Sequence, residues 1–145
     1  MSGQPGITPQ TIVIRDIETL DEMHEVEQLQ REIWGVSDLD VLPALALRPQ
    51  KEVGAILMGA FTGGRMVGFV FGFPGILNGE TIIHSDMLGV RPEYRSQSLG
   101  YMLKLAQRDA ALVTSSSCRA SVRWASSIAV RAAPEIGWNC SACER

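Results

Sequence analysis

The chain has 145 residues, of which 46% are hydrophobic and 20% charged, with a formal net charge of −3. That length and balance suit one globular domain around one core, and the acidic charge supplies no positive field to draw the protein to nucleic acid or to an anionic membrane. No apolar run approaches the roughly 18 residues of a membrane span, and the opening residues do not read as a signal peptide, so a cytoplasmic location is expected.

Residues 1–10, with Gly3, Pro5, Gly6 and Pro9, read as a flexible leader, and residues 11–145 as a single domain. Ile12 to Asp16 is a β-branched run expected to form a strand. Thr19 with Glu22 three positions on has the spacing of a capping box, and opens a helix expected to reach Trp34. Its stripe of Leu20, Met23, Val26, Glu27, Gln30 and Trp34 is interrupted by polar residues. Gly35 ends the pattern, and Leu39 to Leu47, with Pro43 inside it, predicts a short or broken helix. Val53 to Phe61 and Met66 to Phe73 predict a hairpin turned by Thr62-Gly63-Gly64-Arg65. A loop over Pro74 to Gly79 then leads to a strand from Thr81 to Val90.

After that strand come Arg91-Pro92-Glu93-Tyr94-Arg95-Ser96-Gln97-Ser98-Leu99-Gly100 and a helical pattern with Leu99, Met102, Leu103, Ala106, Ala110 and Val113 on one face. Strand, turn and helix in this order have a physical use. The first N–H groups of a helix lack internal partners and carry the positive end of its dipole, so they can hold a phosphate.

Leu88 to Arg95 followed by Gln97, Leu99 and Gly100 resembles the acetyl-CoA motif of the GCN5-related N-acetyltransferases (GNAT), written Arg/Gln-x-x-Gly-x-Gly/Ala after a strand. The motif positions fall on Arg95, Ser98 and Gly100. The resemblance spans about residues 11 to 113. Arg31 to Gly35 and His84 to Val90 also look like a branch known mainly as predicted acetyltransferases. It implies an α/β fold with a mixed, mostly antiparallel central sheet flanked by helices. It also implies acetyl-CoA as co-substrate, its pyrophosphate on the loop Arg95, Ser96, Gln97, Ser98, Leu99, Gly100 and Tyr101, and its pantetheine paired to the strand edge at Leu88, Gly89 and Val90. Ser98 departs from the family's glycine: it is tolerable if the backbone there is helical and costly if φ is positive.

The acceptor implied is a small-molecule or peptide amine, attacked by no covalent enzyme intermediate. Acyl transfer needs that amine neutral, and the candidate base is His84 with Asp86 two residues on, on one face of a regular strand. The competing reading of the pair is structural, as polar groups satisfied at a strand end. Glu52 and Glu80 are read as solvated, Tyr94 and Tyr101 as packing residues. Arg91, Arg95, Lys104 and Arg108 place positive charge around the loop, with Lys104 and Arg108 equally readable as solvated helix charges.

Toward the C-terminus, Arg119 to Trp124 reads as a strand, and Ser126, Ala129, Ala133, Glu135, Ile136, Gly137 and Trp138 fall loosely on the family's helix motif. Ala133 then stands where the family has the tyrosine that protonates the departing thiolate, and the residues after it are too few for the final strands. Residues 114–145 are thus read either as a divergent, incomplete end or as sequence that has left the parental frame. Both readings leave a sheet edge exposed, hence the expectation of a homodimer through that edge. They also motivate the alternative of a catalytically inactive CoA-binding or self-associating protein. Cys118, Cys140 and Cys143 are odd in number and make a poor disulfide framework, and Cys140-x-x-Cys143 is half of a zinc site without its other half, so no metal is expected.

Overall fold

A computed structural model of the protein describes residues 11–114. The cysteines and the C-terminal strand and helix traced from Arg119 to Trp138 lie outside the described residues. In chain order the elements are β1 (Val13–Asp16), α1 (Leu20–Trp34), α2 (Ala44–Glu52), β2 (Ile56–Thr62), β3 (Arg65–Leu77), β4 (Glu80–Val90), a 3₁₀ turn (Pro92–Gln97) and α3 (Leu99–Thr114). The strands form one antiparallel sheet in the order β1-β2-β3-β4.

The start of α1 follows local rules. Thr19 Oγ1 accepts from the Glu22 N–H at 3.2 Å, while Glu22 Oε2 accepts from the N–H groups of Glu18 and Thr19 at 2.9 and 3.2 Å. Arg15 on β1 donates to the other Glu22 oxygen at 2.6 Å. Pairing with Arg15, aided by the Glu18 and Thr19 N–H groups, holds the Glu22 carboxyl down at about 2. A carboxylate with its folded pKa depressed stabilises the fold above its unfolded pKa, near 4.5, and loses that contribution as pH falls toward 2. Glu22→Gln is therefore expected to cost about 1–2 kcal/mol at neutral pH, after allowance for solvent around Arg15. In denaturation curves taken from pH 7 to pH 2 the gap to the parent protein should close; a constant gap would assign the loss to the helix cap alone.

α1 ends where Gly35 takes φ 63° and returns its N–H to Arg31 O at 2.8 Å. The polar residues that interrupt its stripe have work inside the fold. The buried Gln30 carboxamide donates to Leu42 O at 3.0 Å and accepts from Leu42 N–H at 2.8 Å, and Glu27 accepts from Ala44 N–H. Together they tie α1 to the segment entering α2.

Two expectations are corrected here. Pro43 precedes the second helix instead of breaking it, so the helix runs Ala44–Glu52 with Pro49 inside, and β2 starts only at Ile56. A proline just ahead of the first turn sacrifices no helical bond. Pro74 to Gly79 is not a loop: β3 continues to Leu77 and turns through Asn78 (φ 53°) and Gly79 (φ 81°) into β4. Beyond Gly72, β3 no longer has β2 beside it, so proline is tolerated there. The other hairpin turns through Gly63 and Gly64, with φ 55° and 77°, as its composition predicts.

The sheet is covered on both faces. Phe69 and Phe71 of β3 join Met23, Val26 and Leu29 of α1 and Leu47 of α2 in the larger core. Val67 and Val70 join Leu99 and Leu103 of α3 on the other side. None of the described helices is long and apolar enough to cross a membrane.

Candidate functional site

The last half of β4 is bent by a bulge. Phe71 pairs with Met87 and Gly72 with Ser85, which leaves Asp86 as the extra residue. A bulge re-aims side chains, and here it sets Asp86 Oδ1 3.9 Å from His84 Nε2, with both side chains about one fifth exposed, at 23% and 21%. The two lie within ion-pair distance, although the bulge at Asp86 breaks the regular alternation on which the spacing argument rests. The separation is that of a charge pair formed when His84 is protonated, too long for a direct hydrogen bond. The His84 ring also lies 5.1 Å from that of Phe73, its partner across the ladder.

Leu88, Gly89 and Val90 pair on one side with Val70, Phe69 and Gly68. Among the described residues β4 is the outermost strand on that side of the sheet. Leu88 and Val90 pack with the α3 cluster, and a Cβ on Gly89 would come within 2.9 Å of Ile33 Cδ1 and of the Phe69 ring. The glycine thus lets α1 and Phe69 close on the strand.

The chain then winds through the 3₁₀ turn. Arg95 folds its Nε back onto Val90 O at 3.2 Å, and Ser96 and Gln97 are exposed. Ser98 has φ 55° and ψ 19°, the left-handed conformation. Its carbonyl accepts the first bond of α3, from Met102 N–H at 3.1 Å, so the N–H groups of Leu99, Gly100 and Tyr101 precede the helical ladder. The side chain of Leu99 is buried in the core and that of Tyr101 is exposed. The loop thus has a backbone that suits glycine and a residue that is not glycine. A left-handed L-residue costs roughly 1–2 kcal/mol, part of which glycine returns as unfolded-state entropy. Ser98→Gly is expected to stabilise the protein by about 0.5–1 kcal/mol in urea denaturation; no gain would mean that the hydroxyl makes up the strain.

Two basic residues differ from their reading as charges around the loop. Arg91 is 7% exposed, donates its Nε to Met66 O at 3.0 Å and pairs with Glu32 of α1, so its charge is spent inside the fold. Lys104 Nζ donates to Ser85 Oγ, and Ser85 in turn donates to Gln107 Oε1 at 2.8 Å. Burial lowers the Lys104 pKa to about 8. This polar cluster between α3 and β4 escaped the sequence reading, although Gln107 continues the spacing of four from Leu99 and Leu103 and so falls on the buried stripe. Among the described residues no three His, Cys, Asp or Glu side chains are grouped to hold a metal ion.

No protein-family model matches the sequence, and no curated protein matches it. Solved structures do. An aminoglycoside acetyltransferase from an uncultured soil metagenomic sample superposes with a TM-score of 0.65 at 11% identity, over 82% of this chain and 78% of its own. The PaiA N-acetyltransferase of Thermoplasma acidophilum, solved with coenzyme A, gives 0.56 at 20% identity over 72% and 74%. A GCN5-related glucosamine N-acetyltransferase region in a fungal multidomain β-N-acetylglucosaminidase gives 0.58 at 20% identity, over 73% of this chain and 13% of that much longer protein. The described residues have the fold of the GCN5-related N-acetyltransferases.

Proposed function

We propose that the protein is an acyl-CoA-dependent N-acyltransferase that moves an acetyl group from acetyl-CoA to a small-molecule or peptide amine. The observation that carries the reading is the junction of β4 and α3 in a GNAT fold: an outer strand that bulges at Asp86, followed by a turn and a helix whose first N–H groups precede its ladder. Arg95, Ser96, Gln97, Ser98, Leu99, Gly100 and Tyr101 would hold the pyrophosphate through their backbone. Pantetheine would pair along Leu88, Gly89 and Val90 as an added strand. Room supports this assignment, since even a Cβ on Gly100 would only reach ordinary contact with Leu88, at 3.6 Å.

In this reading His84, with the Asp86 carboxylate 3.9 Å away to favour the imidazolium, accepts a proton from the acceptor amine, directly or through water. The amine nitrogen attacks the thioester carbonyl, the C–S bond breaks and the CoA thiolate leaves with a proton. A second reading is a CoA-binding protein without turnover, motivated in the sequence by Ala133, which falls where the family carries its proton-donating tyrosine.

Calorimetric titration of the purified chain with acetyl-CoA, beside ATP as control, tests the coenzyme site. Roughly micromolar binding of acetyl-CoA alone, about −8 kcal/mol, is expected; a folded protein that binds neither overturns the proposal. An amine panel read by thiol release then separates the two readings, because binding without amine-dependent release selects the inactive one.

A further inference from the structure

The cluster of Lys104, Ser85 and Gln107 takes no part in the acyl-transfer site proposed above. It joins α3, whose first turn begins that site, to β4 immediately before the bulge at Asp86. Ser85 and Gln107 are 4% and 1% exposed. Ser85 lies five residues ahead of Val90 on β4, but because of the bulge their ladder partners, Gly72 and Gly68, are four apart, which at a strand rise of roughly 3.3 Å per residue is about 13 Å. A phosphopantetheine arm is of the same order of length. A thioester whose phosphates sit at the start of α3, with its arm along β4, therefore ends near the level of Ser85, where the Lys104 amine is held.

Gln107 Nε2 is buried with no hydrogen-bond partner. An acetyl group on Lys104 would remove two of its donors and add a carbonyl acceptor.

We infer that Lys104 is itself an acyl acceptor, a lysine that takes an acetyl group from a thioester brought along the edge of β4. The inference rests on the acyl-CoA reading above. The neutral Nζ attacks the thioester carbonyl; the C–N bond forms as the C–S bond breaks, and the departing thiolate takes up the proton that nitrogen sheds. Burial favours the neutral amine this step needs, since the Lys104 pKa is lowered to about 8. The product is an uncharged amide between α3 and β4, where the charge no longer has to be kept out of water.

The sequence supplies its own control, because its two lysines are Lys51 and Lys104. Lys51 Nζ donates to Ile17 O, in the segment between β1 and α1. Full-length protein is incubated with isotopically labelled acetyl-CoA, digested and mapped by mass spectrometry, with binding measured in parallel by calorimetry. Lys104 should acquire label at least tenfold faster than Lys51, and Lys104→Arg, which keeps the charge, should remove that label while acetyl-CoA still binds. Binding with equal or no labelling of Lys104 overturns the inference and leaves the acyl-CoA reading standing. If acetyl-CoA does not bind, the same mapping is run with S-acetyl-N-acetylcysteamine, a thioester without phosphates. Preferential labelling of Lys104 then confines the failure to the coenzyme site, and equal labelling of the two lysines overturns the inference.

Discussion

Gly100→Glu is expected to weaken acetyl-CoA binding by about a hundredfold while leaving the fold as stable as before or more so. The position is in the first turn of α3, where the N–H groups of Leu99, Gly100 and Tyr101 precede the first helical bond. A Cβ there meets only Leu88 Cδ2 at 3.6 Å and Val90 Cγ2 at 4.0 Å, so a side chain fits. Replacing glycine inside a helix gains roughly 0.5–1 kcal/mol, and a carboxylate near the positive end of the dipole adds roughly 0.3–1 kcal/mol. A pyrophosphate on the same N–H groups would face that carboxylate. At a separation of about 5 Å and an effective dielectric of about 20, like unit charges repel by about 3 kcal/mol, which is roughly a hundredfold in affinity. Gly100→Ala separates bulk from charge and should bind nearly as the parent does. Titration and thermal melting of the three proteins decide the matter: unchanged affinity in Gly100→Glu would remove the start of α3 as the phosphate site.

What was legible from sequence was what neighbouring residues decide. The Thr19–Glu22 box, the Gly35 stop and the Gly63-Gly64 turn follow from local hydrogen bonding and from φ alone. So does the loop that opens α3, because strand, turn and helix there are contiguous. The length of β3 is not legible in the sequence because the tolerance for Pro74 depends on β2 having ended alongside Gly72, which is tertiary information. Asn78-Gly79 was nonetheless an available turn signal. Arg91 looked like loop charge because its partner, Glu32, is on a helix far back in the chain. Sequence does not decide the dihedral of Ser98, and the structure gives the costly alternative. His84 and Asp86 were paired by period, yet the bulge that sets their separation is a feature of the ladder and of β3 as much as of β4.

The residue on which the sheet and the candidate coenzyme edge both depend is Phe69. It has no exposed surface, meets Trp34 edge-on with ring centroids 5.8 Å apart, and is flanked in the ladder by Gly59 of β2 and Gly89 of β4. Its ring lies over Gly89, so that a Cβ there would stand 2.9 Å from Phe69 Cε1. Phe69→Ala should destabilise the protein by about 3–5 kcal/mol. The upper part of that range is expected, because two glycine neighbours have no side chains with which to fill the space. For a domain of ordinary stability this is a large share of the total, and it should lower the urea midpoint without changing the slope. Gly89→Ala alone should cost roughly 1–3 kcal/mol, since its methyl must displace Ile33 and the ring. In the double variant the methyl enters the space that the ring has left, so the two losses should fall short of their sum by about 1 kcal/mol or more. Simple additivity would mean that the ring does not cover Gly89. Coupling of the expected sign would establish that the glycine on the proposed pantetheine strand is there to admit an aromatic ring from the core on its α1 face, leaving its backbone edge for the coenzyme.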